Sequence, residues 1–594
     1  MIIKIFKKNK IKGDNFFVEP DEIFLDSKNL QNFDTQQFEG RIEKPISKQV
    51  VFVTGAFFFL FIFVFGFRLF HLQVNKGEAY FARSENNKLS EEIIFADRGI
   101  VYDRKGVELA WNKKILNDVV LDKDATVSLD ALGETAESTE PKEEIKDNFI
   151  SVRSYLYPGF SHVLGYVSSP IKDKTGKYWQ ANFIGKDGLE KQYNDRIQGE
   201  NGSKIVEVDA RGKVHSENTV NPPKRGPDLN TTIDAKIQQD LFNSIQKLSE
   251  THGFTGGAGV VMDIHNGEVL SLVSYPEYNG EVLSLGEDNN IISNYITDKR
   301  KVFLNRAVSG LYAPGSIVKP FFALGALMEG IISPDKSIFS SGSISIPNPY
   351  DSTKPTIFKD WKAHGWTDMR EAIAVSSDVY FYSIGGGFDG QVGLGIARLE
   401  KYARLFNIGD KTGVDLPTEK SGVIPNPDWK AKNFKGEAWR IGNTFHTSIG
   451  QYGFQVTPLE MARATSTLAN GGKVVTPHLL LGDKELEDKV SEITLDKDQL
   501  KVIHEGMRMT VTEGTAAPLN VPYVKVAAKT GTAQIGVLKN RVNSWVVGFF
   551  PYENPKYAFT IMMESGPSTN GVGATSVMRE VLDKMSVDNP GYFE

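Results

Sequence analysis

A chain of 594 residues is too long for one hydrophobic core and requires two or more domains. Charged residues make up 24% and apolar residues 40%, the balance of a folded protein, and a net charge of −6 with no basic domain argues against a nucleic-acid partner. There is no cysteine, which removes disulfides, thiolate nucleophiles and cysteine zinc sites together without assigning a compartment.

The first predicted element is a membrane span. Residues 50–67, "VVFVTGAFFFLFIFVFGF", carry no charge, and a span needs about 20 apolar residues. Arg68 can snorkel to the interface, so the helix can run on through "RLFHLQV". A cleaved leader would have a shorter apolar run and a small-residue cleavage site, and a buried core helix would show a polar face. Lys4, Lys7, Lys8, Lys10 and Lys12 precede the span, with Arg41, Lys44 and Lys48 close to it. The positive-inside tendency then puts the N-terminus in the cytoplasm and everything after residue 75 outside it, where there is no ATP.

Residues 13–40 read as a loose cytoplasmic tail. "ADRGIVYDRKGVELAWN" gives a strand, a turn at Lys105-Gly106 and a second strand. The acidic stretch 131–148 reads as an exposed or disordered loop, and folded character returns at "YPGFSHVLGYVS" (157–168). "NPPKRGPDL" (221–229) reads as a linker. After it, Ile237, Leu241, Ile245 and Leu248 mark one face of a helix, and two apolar runs flank Asn266-Gly267, a strong hairpin signal. A helical middle follows. "YVKVAAKT", "SWVVGFFPY" and "KYAFTIMME" read as three more strands, and "TSVMREVLDKM" (575–585) as a closing helix. Strands at both ends of a domain with helices between predict an α+β architecture, one antiparallel sheet packed by helices. No internal repeat is found.

With no cysteine and no metal-binding signature, and with nine scattered histidines, the reactive groups are serine, lysine and carboxylates. His364 and His446 read as structural. A serine nucleophile needs a base, and a lysine three residues on along a helix meets it on the same face. Ser-x-x-Lys occurs at Ser169–Lys172, Ser244–Lys247 and Ser316–Lys319. Ser169 precedes a proline in a charged loop, and Ser244 is expected on a solvated helix face. Ser316 follows "YAPG" and opens the apolar "SIVKPFFALGALMEGII". It is therefore expected at a helix N-terminus, where free N–H groups favour developing negative charge. Lys319 lies one turn inside, where a neutral amine is favoured.

Lys-Thr-Gly also occurs three times. Lys174-Thr175-Gly176 lies in a charged loop, and Lys411-Thr412-Gly413 follows a helix end and reads as a turn. Only Lys529-Thr530-Gly531 continues an apolar strand. Its small neighbours Ala527, Ala528 and Gly531 let another backbone approach, as a strand edge pairing with an extended peptide requires. Lys529 is expected to supply positive charge, and Thr530 and Thr532 hydroxyls for a carboxylate. Between these segments, Ser376-x-Asp378 interrupts two helical stretches.

The order Ser316-x-x-Lys319, Ser376-x-Asp378, Lys529-Thr530-Gly531 resembles that of the penicillin-binding transpeptidases. "NRAVSGLYAPGSIVKP" (305–320), "HTSIGQYGFQVTPLEMARATSTLANGG" (446–472) and "NSWVVGFF" (543–550) extend the likeness. "RGIVYDRKG" (98–106) and "GKDGLEKQY" (185–193) resemble the stretches that tie the class B pedestal to its transpeptidase domain. The likeness covers roughly residues 50–585, and Asp378, where division-type relatives have Asn, points to the elongation-type branch. It implies a tail (1–48), a transmembrane helix (49–72), a non-catalytic dimerisation-type pedestal (73–225) and a transpeptidase domain (226–594).

The resemblance implies further that Ser316 attacks the carbonyl between two terminal D-alanines of a peptidoglycan stem peptide, with Lys319 as general base. Ser376 relays protons, Asp378 holds Lys319 and the substrate amide, and Lys529 and Thr530 orient substrate. Thr532 helps bind its carboxylate, and the N–H groups of Ser316 and Thr532 form the oxyanion hole. No metal or cofactor is implied. The implied partners are stem peptides, β-lactams, the cell membrane and, since no glycosyltransferase region is present, a separate SEDS-type glycan polymerase. The chain departs from the pattern in a short pedestal head between Asn112 and Tyr157 and in Asn543, where many relatives have His. D,D-carboxypeptidase hydrolysis and a non-catalytic β-lactam sensor or scaffold are the competing readings.

Overall fold

The structure is a computed structural model and describes residues 47–116, 149–174, 177–208, 214–286, 288–348, 351 and 353–594. The expected tail at 13–40 and the acidic stretch 131–148 lie outside the described residues. The chain divides into two compact units, Met1–Leu89 and Ser90–Glu594.

The first unit is dominated by helix α1 (Lys48–Phe70), continued by a π-helical turn at His71–Asn75. Ser47 caps it by accepting the Val50 N–H. No side chain on α1 is buried, although Phe, Val, Leu and Ile surround the axis. A helix apolar on every side and uncovered by protein has the character of a membrane span. It is the one helix among the described residues long and apolar enough to cross a membrane.

The second unit begins with the pedestal. Its four-stranded sheet runs Leu229–Asn230, Val101–Tyr102, Glu108–Leu116, Phe149–Tyr155. The expected turn at Lys105-Gly106 is closed by Asp103, whose Oδ1 accepts the N–H groups of Lys105 (2.7 Å) and Val107 (2.8 Å). Beneath the sheet, Glu190 is fully buried between two buried arginines, Arg98 and Arg153, with Arg153 Nε 2.7 Å from its Oε1. The proline-rich stretch 221–229 is not a free linker. Lys224 pairs with Glu200, Gly226 donates to Asp97, and Leu229–Asn230 joins the pedestal sheet parallel to Val101–Tyr102. Each exchange satisfies backbone groups that the prolines could not pair themselves.

The remainder runs through helix α2 (Ala235–His252), strands β1 (Gly256–Asp263) and β2 (Val269–Tyr275), and a middle holding α3 (Lys319–Met328), α4 (Met369–Ala374), α5 (Asp378–Gly386), α6 (Ile441–Ser448), α7 (Pro458–Ala469) and α8 (Lys497–Thr512). It closes with β3 (Ala527–Ile535), β4 (Arg541–Phe550), β5 (Tyr557–Pro567) and α9 (Ala574–Asp588). The five strands make one antiparallel sheet in the order β2-β1-β5-β4-β3, which leaves β3 at an edge.

Ile237, Leu241, Ile245 and Leu248 of α2 pack with Val577 and Val581 of α9 on one face of that sheet. On the other, Phe321 and Phe322 of α3 and Met461 and Leu468 of α7 join Val260, Trp545 and Met562. Every residue of α7 is buried, as befits a helix enclosed between sheet and outer helices. The middle is less helical than expected. Ile338–Ser340 pairs with Gly365–Thr367, and Ser343–Ile346 with Thr356–Lys359.

Among the contacts that join pedestal to sheet domain, two come from segments already quoted. Asp103 Oδ2 accepts the Ala235 N–H at the start of α2 (3.1 Å), and Tyr193 donates its hydroxyl to Asp415 (2.6 Å). They come from the two stretches, 98–106 and 185–193, that the sequence singles out.

Candidate active site

Ser316 lies in a 3₁₀ turn, Gly315–Val318, and α3 begins only at Lys319, with Pro320 in its first turn. The expected α-helical start is thus one turn later. Side chains three apart eclipse in a 3₁₀ turn, so Ser316 and Lys319 still share a side. Ser316 is half-buried, and Lys319 is fully buried. The turn is held from three sides: Gly315 N donates to Gly450 O (3.0 Å), Trp545 Nε1 donates to Ala313 O (3.0 Å), and Gly531 of β3 packs against Pro314 and Ile317.

Ser376 sits between α4 and α5 with φ of +60°, a left-handed backbone that costs a serine energy and reaims its side chain. Asp378 starts α5. The loop is clamped by Asp360, whose Oδ2 accepts from Ser377 Oγ and from Val379 N, both at 3.0 Å. Lys529 is fully buried on β3, at the sheet edge.

These segments share one hydrogen-bond network. Lys319 Nζ donates to Ser376 O (2.8 Å), Ser376 Oγ (3.3 Å) and Asp378 Oδ1 (2.6 Å). Lys529 Nζ lies 2.8 Å from Ser376 Oγ and 2.9 Å from Thr530 O. Ser376 Oγ is therefore the one atom bonded to both amines. In this arrangement Lys319 is turned to Ser376 and Asp378 rather than to Ser316 Oγ.

The three contacts of Lys319 Nζ are a carbonyl, a hydroxyl and a carboxylate. Burial pushes the Lys529 amine well below the ordinary lysine range; neighbouring Lys319 acts in the same sense and Asp378 opposes both. Of the two buried amines, it is Lys319 that Asp378 hydrogen-bonds.

Thr530 is half-buried, and Thr532 is exposed on the same edge strand. Asn543 occupies a bulge in β4, where its Oδ1 accepts the Ser565 N–H (2.9 Å). The side chains of His364 and Asp360 are buried together, 3.4 Å apart. His446 stacks obliquely on Phe358 (ring centroids 5.3 Å), and burial lowers its pKa.

The other copies of the motifs lie elsewhere. Thr412 N, Thr412 Oγ1 and Gly413 N all donate to Glu419, so the 411–413 turn already holds a carboxylate of its own chain. Lys174 is exposed, and Thr175 and Gly176 lie outside the described residues. Ser169 Oγ donates to Ser284 O (2.7 Å). Ser244 is buried rather than solvated, because its hydroxyl folds back onto Asp240 O (2.8 Å) and so needs no water. Sequence reasoning missed Asp360 and Thr515; the latter's hydroxyl bonds that of Thr530.

An antiparallel sheet with helices on both faces, and a serine–lysine network at its edge strand, defines the class: an α+β fold of the serine acyl-transferring type. Residues 257–583 match the penicillin binding protein transpeptidase domain and residues 145–231 the penicillin-binding protein dimerisation domain. The chain is 31% identical to the peptidoglycan D,D-transpeptidase MrdA of Acinetobacter baumannii, over 91% of this chain and 88% of that one. Among solved structures it resembles Pseudomonas aeruginosa PBP2 in complex with WCK 5153 (TM-score 0.65, 29% identity, 85% of this chain and 98% of the other). It also resembles a chain from a peptidoglycan synthase complex that coordinates polymerization and crosslinking (TM-score 0.65, 27% identity, 91% and 98%). The chain belongs to the penicillin-binding protein transpeptidase family.

Proposed function

We propose that this protein is an elongation-type peptidoglycan D,D-transpeptidase, a counterpart of penicillin-binding protein 2, and that β-lactams acylate it at Ser316. The observation carrying the proposal is Ser376 Oγ, bonded to the amines of both Lys319 and Lys529. A proton shift along Lys319 Nζ–H···Oγ Ser376–H···Nζ Lys529 leaves Lys319 neutral and Lys529 charged. Lys319 then takes the Ser316 proton as Oγ attacks the penultimate D-alanine carbonyl. The C–N bond breaks, and Ser376 passes a proton to the departing D-alanine. An amine from a neighbouring stem then attacks the acyl-enzyme; an amide forms and Ser316 recovers its proton.

Asp378 holds Lys319 and the substrate amide throughout. Thr530, Gly531 and Thr532 receive the donor at the strand edge, where an extended peptide gains backbone hydrogen bonds. Thr532 N–H and Ser316 N–H stabilise the oxyanion.

In this reading residues 1–48 are cytoplasmic, 49–72 cross the plasma membrane, and the pedestal (73–225) and transpeptidase domain (226–594) lie outside. The partner is a SEDS-type glycan polymerase. The test is labelling by fluorescent penicillin: wild type is tagged and Ser316→Ala is not. Equal labelling of the two would remove Ser316 as nucleophile.

A further inference from the structure

Helix α8 ends at Thr512, and the turn after it grips two parts of the active site at once. Thr515 N donates to Ala374 O at the end of α4 (3.2 Å), two residues before Ser376. Thr515 Oγ1 meets Thr530 Oγ1 on β3 in a short hydroxyl–hydroxyl bond. The turn itself is pinned: Ala516 N donates to Thr510 O (2.8 Å), and a Cβ on Gly514 would fall 2.2 Å from Ala374 O. Thr515 thus has little freedom to move away from Thr530.

Two hydroxyls hold two hydrogens, and one of them lies in the bond between the oxygens. If Thr530 donates it, Thr530 offers an incoming anion only lone pairs. If Thr515 donates it, the Thr530 hydrogen is free for the anion, and the two bonds polarise each other in one direction. An arriving carboxylate favours the second arrangement, because charge-assisted hydrogen bonds are about twice as strong as neutral ones.

We infer that Thr515 is a positioning residue that donates its hydroxyl hydrogen to Thr530 and so turns the Thr530 hydrogen towards the terminal carboxylate of the acyl donor. It makes the site selective for carboxylate-terminated donors without touching them. The inference rests on the transpeptidase reading and deepens it.

The test uses the full chain in detergent and two thioester acyl donors, one an N-acyl-D-alanyl thioester ending in a free carboxylate, the other its methyl ester. Thr515→Val keeps the shape and removes the hydroxyl. It should lower kcat/KM for the acid about tenfold, mainly through KM, and leave the ester unchanged. Thr515→Ser keeps the donor and should stay within about twofold of wild type on both. In a Thr530→Val background, Thr515→Val should add no further loss. Equal slowing of both donors, no slowing of either, or a serine variant as impaired as the valine would overturn the inference. If wild type is acylated by neither donor nor by fluorescent penicillin, the transpeptidase reading itself fails and takes this one with it.

Discussion

Gly531→Ala should damage catalysis by contact alone. Gly531 has no left-handed backbone to preserve, so alanine brings no conformational strain there. Its Cβ, however, would lie 2.7 Å from Pro314 O, 3.0 Å from Ile317 Cγ2 and 3.3 Å from Ile317 N. Ordinary carbon contacts begin near about 3.5 Å. The turn must therefore retreat by about half an ångström or more, and Ser316 lies between the two residues that are struck. Retreat is resisted, because Trp545 holds Ala313 and Gly450 holds Gly315. A nucleophile misplaced by about 1 Å costs up to about 100-fold in rate, so we expect acylation by a chromogenic β-lactam to slow by about 10- to 100-fold. Overpacking of this kind costs about 1–3 kcal/mol of stability. The control is Gly536→Ala in the β3–β4 hairpin, where φ is +75° and no atom lies within 4 Å of the added Cβ. It should cost stability through backbone strain and leave acylation unchanged. Acylation within twofold of wild type in Gly531→Ala would refute the claim that this close approach sets the position of Ser316.

Lys411→Ala should leave penicillin labelling intact while Lys529→Ala abolishes or strongly slows it; the reverse would exchange the roles assigned to the two copies of the motif. Acylation should rise with pH as Lys529 loses its proton, well below the ordinary lysine range, and Lys529→Arg should lose both the activity and that rise; an unaltered profile would take Lys529 off the proton path. Because the unfolded chain binds this proton more tightly than the folded one, wild-type stability increases with pH up to the ordinary lysine pKa, so any stability gained by Lys529→Met should grow as pH falls. Glu190→Ala should cost about 3–5 kcal/mol in chemical denaturation, since Arg98 and Arg153 would be left buried without their shared carboxylate; a change below about 1 kcal/mol would mean that water reaches the cluster.

Elements with a one-dimensional signature were legible in the sequence. The α2 stripe, the Asn266-Gly267 hairpin and the three closing strands each carry a period or a turn residue that fixes them locally. The strand position of one of the three Lys-Thr-Gly copies was legible as well, because only Lys529 continues an apolar run. Ser244 was misjudged since a serine can satisfy its hydroxyl on its own helix, which no periodicity reveals. The left-handed backbone of Ser376 carries no glycine or asparagine to announce it. Thr515 and Asp360 act through partners 15 and 17 residues away, Thr530 and Ser377, and hydroxyls and carboxylates at such spacing are too common to signal contact. Which of the two buried amines the Asp378 carboxylate reaches was not legible either, because that is a matter of ångströms.

That last point bears on why Asp378 rather than asparagine suits this network. Two buried amines with no counter-ion would both be driven neutral, and the pair would lack a proton for the leaving group. Two counter-ions would hold both as ammonium, and the pair would lack a base. In the proposed mechanism one carboxylate keeps a single mobile proton on the pair, passed between Lys319 and Lys529 through Ser376. Acylation and release require opposite protonation states of the same amine. A chain that shuttles one proton between two lysines supplies both states without exchange with water, and Ser376 must accept a strained backbone so that one oxygen can reach each amine.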